Sequence, residues 1–91
     1  MDERLERRMI HAIGLDNVET NGSVYKAYRN GSMYDGRVED WEILVAGGYA
    51  ERVLRGRDVR YHLTRQGFQY IADKTGLVIR YELEFEPKRK N

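Results

Sequence analysis

An α+β fold of three helices and a small antiparallel sheet is what this sequence predicts, and three observations carry it. An apolar-striped segment, Arg37 to Ala46, stops at Gly47-Gly48, as a helix does at glycines. A short hairpin follows, and Thr64 then caps a new helix. Beyond Gly76, apolar and charged residues alternate from Leu77 to Glu86, the cleanest period-two pattern in the chain.

The first element reads as a helix over Glu3–Ile13. Leu5, Met9, Ala12 and Ile13 make one apolar stripe, Asp2 caps it and Gly14 supplies the left-handed stop. Residues Leu15 to Arg37 are punctuated by Asn17, Asn21, Gly22, Asn30, Gly31 and Gly36, with Ser23–Arg29 as a short strand or irregular cover. The second helix, Arg37–Ala46, is expected to bury Val38, Trp41, Leu44 and Val45. Asp35 is its expected cap, and Glu39, Asp40 and Glu42 form its solvated face.

The hairpin runs Ala50–Leu54, turn Arg55-Gly56-Arg57-Asp58, then Val59–Leu63. Val59, Tyr61 and Leu63 face inward, and Arg60 and His62 face water. A third helix follows over Arg65–Lys74, with Phe68, Ile71, Ala72 and Thr75 on one stripe. Gly67 in its first turn costs ~1 kcal/mol against alanine and implies close approach to the hairpin. The last strand, residues 77 to 85, turns Leu77, Ile79 and Tyr81 toward the hairpin's inner face. Helix, hairpin wing, helix and strand in this order predict a winged helix-turn-helix-like domain over residues 1–86. A basic disordered tail is expected at residues 87–91. A standard winged helix has a further helix between residues 15 and 37, where no periodicity supports one.

Composition sets bounds. The chain has 91 residues, 16 Lys and Arg against 15 Asp and Glu, and no cysteine, so neither global charge nor a thiolate site argues for a function. No segment reads as a signal peptide or membrane span, so a cytoplasmic protein is expected, with no membrane partner.

The pieces His11-Ala-Ile-Gly-Leu, Tyr28-Arg-Asn, Trp41-x-x-Leu-Val, Gly48-Tyr-Ala and Tyr61-x-Leu-Thr-x-x-Gly67 occur in an order that resembles small uncharacterised proteins of phages and prophages. That resemblance spans residues 9 to 76 and implies a phage-derived protein without assigned chemistry. The second half also resembles winged-helix regulators, in which the helix before the Gly-Tyr-Ala-Glu-Arg type of segment enters the DNA major groove. The matching positions are Val38 to Ala46, but base reading needs outward Arg, Lys, Asn or Gln, and three carboxylates stand there instead.

Cations concentrate on the hairpin. Arg52, Arg55, Arg57 and Arg60, followed by Arg65, are candidate contacts to nucleic-acid phosphates, assisted by Lys88, Arg89 and Lys90. Arginines that discourage edge pairing are the plainer explanation, since Glu51 and Asp58 offset the patch. Tyr81, Leu83 and Phe85 are candidate partner-interface residues, because the final strand carries more apolar surface than a two-stranded wing needs.

No catalytic constellation is evident. His11 and His62 lack metal-ligand spacing, Gly47-Gly48 is followed by no Lys-Ser or Lys-Thr, and Ser23, Ser32 and Asp35 form no nucleophilic pattern. Glu82, Glu84 and Glu86 form a solvated row. No cofactor or metal is expected. The sequence therefore predicts a non-catalytic module binding a protein partner or a second copy of itself, with duplex DNA as the alternative.

Overall fold

A computed structural model describes residues 1–17 and 23–81. Its elements run α1 (Glu3–Ala12), a 3-10 turn (Leu15–Asn17), β1 (Val24–Lys26), β2 (Ser32–Tyr34), α2 (Glu39–Ala46), β3 (Ala50–Arg55), β4 (Asp58–Leu63), α3 (Arg65–Thr75) and β5 (Val78–Arg80). The three expected helices and a small antiparallel sheet are present. Among the described residues no helix lies between β1 and α2.

Local chemistry sets the ends of these elements. The Asp2 carboxylate accepts the Arg4 N–H at 2.8 Å and starts α1. The Thr64 hydroxyl oxygen accepts from Gly67 N at 3.2 Å, and Gly76, with φ of 76°, closes α3 in the left-handed conformation. At α2 the expected cap is corrected. Val38 takes the cap position without a side-chain bond, and its N–H is received by the Tyr61 hydroxyl at 3.1 Å instead. Carboxylates Glu39, Asp40 and Glu42 in the first turn favour this helix through its dipole.

The hairpin turns on two residues, Gly56 and Arg57, between the paired Arg55 and Asp58. Gly56 supplies the positive φ that such a tight loop needs. Gly67 has the predicted use: a Cβ there would lie 2.2 Å from the Tyr49 carbonyl oxygen, so only glycine lets α3 reach the hairpin base.

The sheets differ from expectation. The antiparallel sheet has order β2-β4-β3, and its third strand comes from the turn-rich region, not from the C-terminus. The C-terminal strand instead pairs in parallel with β1, Val24 beside Val78 and Lys26 beside Arg80. The expected facing still holds over the described part. Val59, Tyr61, Leu63 and Ile79 are buried, with Leu77 and Tyr81 packed against them. Residues 82–85 of the predicted strand, and the predicted tail, lie outside the described residues.

The core gathers the α1 stripe, Trp41 and Leu44 of α2, Phe68 and Ile71 of α3, and the inner residues of both sheets. Trp41 is fully buried. Its indole stacks on Tyr61 (5.4 Å between centroids), and its N–H donates to the Tyr34 hydroxyl at 3.0 Å.

Candidate functional site

Cross-strand partners share a face, which sorts the hairpin arginines. Arg52 stands opposite Tyr61 on the inner face and is half-buried. It pairs with the Glu42 carboxylate, whose other oxygen accepts the Tyr61 O–H at 2.5 Å. Burial and that carboxylate push the Tyr61 hydroxyl above its usual range. Arg52 is thus committed to joining the hairpin to α2.

Arg55 and Arg60 lie on the outer face. Arg60 donates to the Asn30 carbonyl at 3.0 Å, while Arg55 sits opposite Asp58. Arg57 occupies the loop and Arg65 the exposed start of α3. The five candidates are therefore spread over two sheet faces, a loop and a helix end.

His62 corrects the predicted wet face, because it is buried (2% exposed), with Nε2 3.7 Å from a Glu51 oxygen. The loop before β2 reaches this end of the sheet through Asn30. The Asn30 side-chain amide accepts from Leu63 N at 2.8 Å and donates to Leu63 O at 3.1 Å, continuing the ladder beside β4.

The acidic face of α2 is corrected as well. Asp40 is buried and receives Arg4 Nε at 2.9 Å and Arg8 Nε at 3.1 Å. This bond raises the Arg8 guanidinium further above neutrality. With Asp40 paired to α1 and Glu42 to the hairpin, what α2 exposes is Glu39, Ile43 and Ala46. Those positions lie on one side of the helix and carry no base-reading donor.

Ile43 borders an apolar concavity of about 300 Å³, lined by Met1, Leu5, Ile43, Leu44, Gly47, Tyr49 and Tyr70. Its floor is the α1–α2 contact, and its wall is the edge-to-face pair Tyr49–Tyr70 (5.5 Å). The Tyr70 O–H donates to Glu6, which Lys74 approaches to 3.7 Å, and the tyrosine pKa is pushed up to about 12 by that carboxylate. Such a cleft can receive an aliphatic or aromatic side chain. Sequence reasoning passed over it, although an isoleucine off the buried stripe of an amphipathic helix was a readable signal.

Of the predicted interface residues, Tyr81 is half-buried and stacked on Phe68 with centroids 3.8 Å apart. Leu83 and Phe85 lie outside the described residues. Among those described, no three His, Cys, Asp or Glu side chains are grouped to hold a metal ion, and no helix is long and apolar enough to cross a membrane. The chain matches no protein-family model, no curated protein and no solved structure.

Proposed function

We propose that this chain is a non-catalytic protein-interaction module that seats an apolar side chain of its partner in the cleft beside Ile43. The observation that carries this reading is the surface of α2. Two of its three carboxylates are engaged within the fold, and its outward side offers an isoleucine 46% exposed at the mouth of an apolar cleft. The resemblance to phage and prophage proteins supports a working place inside a bacterial host, and neighbouring capsid or packaging genes would fit it.

A second reading, a winged-helix protein on duplex DNA, has one observation in its favour. Arg55 and Arg57 are exposed together at the hairpin tip, where a wing meets phosphates. The acidic and apolar outward side of the would-be groove helix weighs against it.

The two readings separate in one experiment. A photo-crosslinking amino acid is placed at position 43 or at position 57, and adducts are collected from the native host. Protein adducts from position 43 that disappear on adding Leu5→Asp at the cleft floor are expected. Nucleic-acid adducts from position 57 would reverse the assignment. So would duplex binding at ~150 mM salt whose log–log salt slope, about −0.9 for each phosphate engaged, becomes shallower in Arg55→Gln/Arg57→Gln.

A further inference from the structure

Among the described helices α1 alone turns a continuous basic stripe to solvent. Leu5, Glu6, Met9 and Ala12 fix its inward side, which leaves Arg4, Arg7, Arg8 and His11 outward at i, i+3, i+4 and i+7. The stripe runs about 10 Å along the helix. Arg29 extends it, because its Nη2 donates to the His11 carbonyl at 2.7 Å. Every permanent cation of this face is an arginine, and the chain's lysines, Lys26, Lys74, Lys88 and Lys90, fall outside α1.

Two features make the stripe more than a solvated helix surface. Arg4 and Arg8 both reach the buried Asp40 carboxylate through Nε, at 2.9 and 3.1 Å. One carboxylate fixes two guanidiniums, so the pair keeps a net positive charge and is ordered before any ligand arrives. Their side chains remain 57% and 38% exposed, and a guanidinium carries five donors, so the terminal nitrogens of Arg4 can take a second anion. Arg7 is exposed and has no ion-pair partner among the described residues. Of the nearby carboxylates, Asp16 is bonded to His11 at 2.8 Å, and Glu3 stands at the border of the stripe a turn before Arg7. The second feature is Tyr28. It is 61% exposed, its ring lies against Gly14 at the end of α1, and the Arg29 guanidinium sits 5.6 Å from its centroid. An exposed aromatic ring at one end of an arginine stripe takes phosphates along the helix and an unpaired base on the ring.

Other partners fit this face less well. A helix lying on a membrane turns its apolar residues outward, whereas α1 buries its own in the core. A protein interface is centred on apolar or aromatic anchors, and the stripe from Arg4 to His11 holds none. A base-paired duplex offers no unstacked base to Tyr28. We infer that the outward face of α1, with Arg29 and Tyr28, binds single-stranded nucleic acid. The surface shares no residue with the Ile43 cleft or with the hairpin tip.

Fluorescence anisotropy on the full chain, with labelled oligo-dT and oligo-U of about 15 nucleotides at about 50 and 150 mM salt, tests it. Wild type is expected to bind both with Kd of about 1–50 μM at the lower salt. Its log–log salt slope should be about −2 to −3, since each engaged phosphate of a single strand contributes about −0.7. Arg7→Gln breaks no described contact of the fold, and should weaken binding ~3-fold and make the slope shallower by about 0.7. Tyr28→Ala should weaken binding at least ~5-fold at unchanged slope, and Tyr28→Phe should retain it, because stacking needs the ring and not the hydroxyl. Arg7→Gln decides the case even where Tyr28→Ala unfolds. No binding by wild type at about 100 μM protein and the lower salt overturns the inference. So does an equally tight duplex of the same length, or polyglutamate that competes as well as the oligonucleotides. An affinity indifferent to Arg7→Gln and Tyr28→Ala, or a loss that follows Arg55→Gln/Arg57→Gln instead, overturns it too. Tighter binding of oligo-U supports RNA as the source, and tighter binding of oligo-dT supports DNA. Adducts at position 43 are independent of these outcomes, so either reading can fail without the other.

Discussion

The hairpin and the β1–β5 pair are both small sheets lying over one core, yet they are built by opposite means. Strands β3 and β4 are neighbours in sequence, close through two residues, and carry six register pairs. Strands β1 and β5 come from opposite ends of the chain and share three. The hairpin is held further by Trp41 on Tyr61, by the Arg52–Glu42–Tyr61 network, and by the Asn30 amide at Leu63. The parallel pair has Tyr25 and Ile79 as its buried register partners and otherwise presents an outer face. Local closure costs little chain entropy and supports a rigid frame, whereas distant closure leaves a sheet whose stability depends on few contacts.

The largest test of this contrast is Trp41→Ala. The indole is fully buried between helix and hairpin, so its loss should cost about 3–5 kcal/mol of folding stability. Equilibrium denaturation measures it. A variant with wild-type stability would mean that the hairpin half is not the frame.

A smaller effect is expected from Tyr25→Phe in the parallel pair. The Tyr25 hydroxyl donates to the Ile13 carbonyl at 2.7 Å in a buried setting, tying β1 to the end of α1. Removing it should cost about 1 kcal/mol. Hydrogen exchange sharpens the comparison. The amides of Val78 and Arg80 should lose protection before those of Tyr61 and Leu63, and uniform loss across both sheets would erase the distinction.

The same contrast decides what was legible in the sequence. The caps of α1 and α3, the α1 stripe, Trp41, the hairpin and the close approach at Gly67 are written within a few residues of where they act. Three-residue strands are too short to show a period, so β2 was hidden among turn residues, and the partner of β5 could not be read from either segment. Asp40 looked solvated because its cations, Arg4 and Arg8, are a whole loop region away in sequence. His62 looked wet because strand alternation alone places it on the face opposite Tyr61 and Leu63, yet it is buried. Arg52 parts from Arg55 because a strand sends positions three apart to opposite faces.

The smallest expected effect concerns the contact between α1 and α3, which belongs to neither sheet. Tyr70 donates to Glu6, and its folded pKa of about 12 stands above the ordinary tyrosine value of about 10. A raised pKa in an acid means that the folded state keeps its proton while the unfolded state has lost it. The unfolded chain then binds fewer protons, so stability falls as pH rises through the window from about 10 to 12, and this contribution is fully present below it. Tyr61, raised by burial and by Glu42, acts in the same direction from within the hairpin. Denaturant midpoints of wild type at about pH 8, 10 and 11 should therefore decline. Tyr70→Phe starts from a lower stability near neutrality and declines less steeply, the remaining slope including Tyr61 and Tyr25. Parallel curves for the two proteins would show that the Tyr70–Glu6 bond is not formed in solution, and would leave the alkaline response to Tyr61 and to Tyr25, whose hydroxyl is also pushed up by burial.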